Sequence, residues 1–101
     1  MSDTVTVMTA YLRNEVGEKR SQLPGMRLLA EHAAAVGERR ADHAAAAARL
    51  ADASSGTISP GEADALILWM LARPSVTDGF HSRPTLGLLT RVCNIPAPAT
   101  T

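Results

Sequence analysis

The sequence predicts an all-α fold of about four helices, and three observations carry that expectation. Eighteen of the 101 residues are alanine, the best helix former. Only Tyr11, Trp69 and Phe80 are aromatic, so the core must be aliphatic, which suits helix-on-helix packing. Apolar side chains recur at helical spacing, as in Val5, Met8, Leu12 and Val16.

The first helix is expected over about residues 4–22. Asp3 can cap it, and Lys19 continues the side marked by Val5, Met8, Leu12 and Val16. The β-branched alternation at 4–7 also allows a short strand at the start. Leu23-Pro24-Gly25 ends the segment, because proline disfavours the α conformation of the residue before it.

The second helix is one long Ala-rich element over about 26–53, roughly 40 Å in length at 1.5 Å per residue. Gly37 is its one weak point, and Ser54-Ser55-Gly56 stops it. The third helix starts at Ser59-Pro60-Gly61-Glu62, a capping box with proline at the first helical position, and stops at Pro74. A loop through Asp78-Gly79 follows. The fourth helix covers about 84–94, with Leu86, Leu89 and Val92 three residues apart. Residues 1–95 are read as a single helical domain, and 96–101 as an extended Pro/Ala/Thr tail.

Within the long helix, Ala30, Ala34, Gly37, Ala41, Ala44, Ala48 and Ala51 follow a 4-3-4-3-4-3 spacing and form one continuous stripe. No side chain in it exceeds a methyl, so a facing helix can approach closely. The third and fourth helices are too short to cover the full length of this one. Part of that length must then face solvent or a second copy of the chain: a homo-oligomer with a two-fold dimer along the stripe is expected, the alternative being that the first helix lies in the groove as an intramolecular hairpin. The run at 66–71 is apolar on all sides, so its helix is either buried on most faces or exposed at an interface. Trp69 and Met70 in that run, with Phe80 in the loop, are the candidate contacts for an unidentified protein partner.

Charge and motifs narrow the functional classes. Ten basic and ten acidic residues cancel, so no global field draws the chain to nucleic acid or membrane. Nine of the ten basic residues are arginine, which with the alanine content fits a GC-rich genome such as that of an actinobacterium or its phage. Cys93 is the only cysteine and cannot form an intramolecular disulfide. With no basic, apolar leader at the N-terminus, a cytoplasmic location is expected. The apolar run at 66–71 is far short of the roughly 20 residues that span a bilayer.

No catalytic or cofactor motif emerges. His32 and His43 lie three helical turns apart, about 16 Å in one helix, too far to share a metal. Glu31, Glu38 and Asp42 read as a solvated acidic stripe. The turn at 51–62 has the spacing of a calcium loop, but alanines 51 and 53 replace its first two ligands. Asp78, His81 and Ser82 are neighbours in sequence only, which does not assemble a triad. No metal or cofactor is implied. A non-enzymatic interaction or adaptor domain that self-associates is the expected function, of the kind a small accessory protein performs.

The alternative is a DNA-binding regulator. Ile58-Ser59-Pro60-Gly61-Glu62, the apolar run at 66–71, Ser82-Arg83 and the Leu86, Leu89, Arg91, Val92 pattern loosely resemble the recognition core of winged-helix regulators. The resemblance implies that Ser82, Arg83, Thr85 and Arg91 face phosphates or bases.

Overall fold

A computed structural model describes residues 3–72 and 86–96. These form six helices and no strand: α1 (Asp3–Val16), α2 (Glu18–Ser21), α3 (Pro24–Gly37), α4 (His43–Ala53), α5 (Pro60–Ala72) and α6 (Leu86–Cys93). The all-α class stands, while two of the expected helices are each split in two.

The first split is at Gly17. Its φ of 95° is left-handed territory that glycine enters without a Cβ penalty, and it turns the chain between α1 and α2. Residues 4–7 are helical, and no strand forms there. Met8 and Leu12 are buried on the expected side, Val5 and Val16 are partly buried, and Lys19 is exposed.

The second split corrects the long helix. Residues 38–42 are a turn, and the Ala-rich segment is two helices, α3 and α4. Arg39 takes φ 59°, the Arg40 N–H donates to the Ala35 carbonyl, and the Arg39 N–H donates to the Val36 carbonyl. That is the paired 6→1 and 5→2 pattern of a Schellman stop, with arginine at the left-handed position. Asp42 then caps α4, its Oδ1 accepting from the Ala44 N–H at 2.9 Å. Continuing one helix through five residues would gain only tenths of a kcal/mol each in propensity. Folding back buries Ala46, Ala47 and Leu50, and the leucine alone contributes about 1.5–3 kcal/mol. Packing outweighs propensity.

α3 is the hub and packs against each of the other five helices. Its Ala30, Ala33 and Ala34 are fully covered, which lets neighbours approach closely. Gly25 is the tightest point: a Cβ there would collide with the Val92 carbonyl oxygen and lie 3.0 Å from the Ile95 Cβ. The end of α6 therefore sits directly on the first turn of α3. Met26, Leu29, Leu50, Leu66, Ile67 and Met70 fill the centre.

The capping box of α5 forms as its sequence implies. The Ser59 N–H donates to Glu62 Oε1 at 2.9 Å, and the Glu62 N–H donates to Ser59 Oγ at 3.1 Å. α6 (Leu86–Cys93) lies inside the expected 84–94 span. Among the described residues, no helix is long and apolar enough to cross a membrane.

Candidate functional site

The stripe expected along one long helix is not one surface. Ala30, Ala34 and Ala51 are buried within the chain. Gly37 ends α3, where an added Cβ would lie 3.3 Å from Leu71 Cδ2 and 3.5 Å from Thr4 Cγ2. Ala41 is half-buried in the turn, and Ala44 and Ala48 are exposed on α4. The turn at 38–42 separates the two halves, so no straight partner helix can run along all seven positions.

The apolar run on α5 resolves into faces. Ala63, Leu66, Ile67, Trp69 and Met70 point into the core. Trp69 packs edge-on against Tyr11, with ring centroids 5.5 Å apart. Trp69 is 5% exposed and Met70 0%, so neither offers a surface to a partner. Leu68 is the most exposed side chain of this run, at 46%, while Leu71 is half-buried. It belongs to a row of exposed residues, Gly61, Ala65, Leu68 and Ala72, at 4-3-4 spacing. Three small residues surround one large apolar one, and no charge lies on the row.

The two carboxylates of α5 are turned to its flanks and engaged there. Asp64 Oδ1 meets His43 Nδ1 at 2.8 Å. Glu62 takes both arms of the Arg91 guanidinium, at 3.2 and 2.5 Å. The Ser59 backbone N–H and then the Arg91 guanidinium hold the Glu62 carboxyl below its usual value. The hydrogen bond to Asp64, followed by its charge, holds the His43 imidazole above its usual value. A solvated helix face is ordinarily polar; here the polar groups flank it and the crest is bare.

Of the residues expected to face nucleic acid, Arg91 is described, and it is the arginine held by Glu62. Ser82, Arg83 and Thr85 lie outside the described residues, as does Phe80. His32 Nδ1 sits 2.7 Å from the Leu28 carbonyl oxygen of its own helix. Glu38 pairs with Arg40 at 2.7 Å, and Asp42 serves as a cap. Among the described residues, no three metal-ligating side chains converge. Burial pushes the Cys93 thiol up, away from the reactive thiolate.

Leu68 lies in the apolar run that the sequence marks as a partner surface, but Trp69 and Met70 are the residues it singles out there. The available signal was the small residues at 61, 65 and 72, which share its face and fill no core. Comparison with known proteins finds no matching family model, no matching curated protein and no matching solved structure.

Proposed function

We propose that the chain is a non-enzymatic interaction module that self-associates through the outward face of α5. The observation that carries this reading is the uncharged row Gly61, Ala65, Leu68 and Ala72 on a helix whose opposite face is buried in the core and whose flanking carboxylates are already engaged. The row is self-complementary. An antiparallel two-fold axis between positions 65 and 68 sets Leu68 over Ala65 of a second copy and Ala72 over Gly61. Large meets small at each crossing, and the backbones can approach to the short end of the 8–10 Å range for packed helices. Closed two-fold pairing uses the same patch on both copies.

One helical row is smaller than the roughly 800 Å² per partner of a stable interface, so the dimer belongs to the weak, concentration-dependent class. Sedimentation velocity over a concentration series tests the reading. Wild type should gain mass with concentration, and Leu68→Glu should stay monomeric with an unchanged circular dichroism melt. A wild-type chain that is monomeric at every concentration overturns it.

A further inference from the structure

We draw no further inference here: the strongest candidate, the His43–Asp64 pair beside Arg39 and Arg40 at the corner between α3 and α4, is a solvent-screened surface ion pair at a helix N-terminus, and no second observation in the structure points to a ligand there.

Discussion

His43 Nδ1 lies 2.8 Å from Asp64 Oδ1, tying the first residue of α4 to the second turn of α5 across 21 positions of sequence. The contact fastens the element that follows the turn at 38–42 onto the helix that carries the outward row. It is exposed, so its effect is local and salt-sensitive.

The sign of its pH dependence follows from linkage. The folded-state pKa of His43 is raised above 6.5, chiefly by the hydrogen bond to Asp64. Its contribution to stability is therefore full below the unfolded value and is lost as pH rises through the raised folded value. Titration of the His43 ring protons by NMR should give a midpoint above 6.5, and Asp64→Asn should lower it. A wild-type midpoint at or below 6.5 contradicts the contact. Glu62 has the opposite sign: its lowered pKa supplies stability above the unfolded value, and this is lost as pH falls through the folded one.

Arg39 occupies a left-handed position that costs a non-glycine residue about 1–2 kcal/mol. Arg39→Gly should stabilise the fold by about 0.5–1 kcal/mol, because glycine gives back part of that gain as unfolded-state entropy. Urea midpoints measure it. A destabilised variant would mean that residue 39 is in right-handed helix and the Ala-rich segment is continuous.

The split stripe predicts unequal responses at positions that look alike in sequence. Ala34→Leu should cost about 1–3 kcal/mol by overpacking the hub helix, whereas Ala48→Leu on exposed α4 should stay within about 0.5 kcal/mol. Equal effects in chemical denaturation would contradict the division of the stripe into buried and exposed parts.

Gly25→Ala should destabilise by about 1–3 kcal/mol, since the new methyl meets the Val92 carbonyl oxygen and α6 must shift. Amide exchange should quicken in α6 more than in α4. Unchanged protection in α6 would show that its end does not rest on α3.

How much was legible from sequence differs by element, for physical reasons. The start of α5 was readable because Ser59, Pro60 and Glu62 form a local device that needs no tertiary partner. The inner side of α1 was readable because Val5, Met8, Leu12 and Val16 recur at helical spacing, and Met8 and Leu12 are buried. The turn at 38–42 was not, because Glu38, Arg39, Arg40 and Ala41 are all good helix formers and the left-handed residue is Arg39, with Gly37 two positions earlier still in the helix. Gly37, the weak point at which α3 ends, and Asp42, which caps α4, are the local clues. Leu68 was hidden for another reason. A run that is apolar on every side has no periodicity to assign a face, so its neighbours alone decide which residue stays outside.

The most direct test of α5 pairing is an isotope-filtered NOE measurement on a mixture of labelled and unlabelled chains. Intermolecular contacts are expected between the Leu68 methyls of one copy and the Ala65 methyl of the other, lost in Leu68→Glu. Intermolecular contacts confined to other surfaces, such as Ala44 and Ala48, or none at concentrations where the mass has risen, would contradict it.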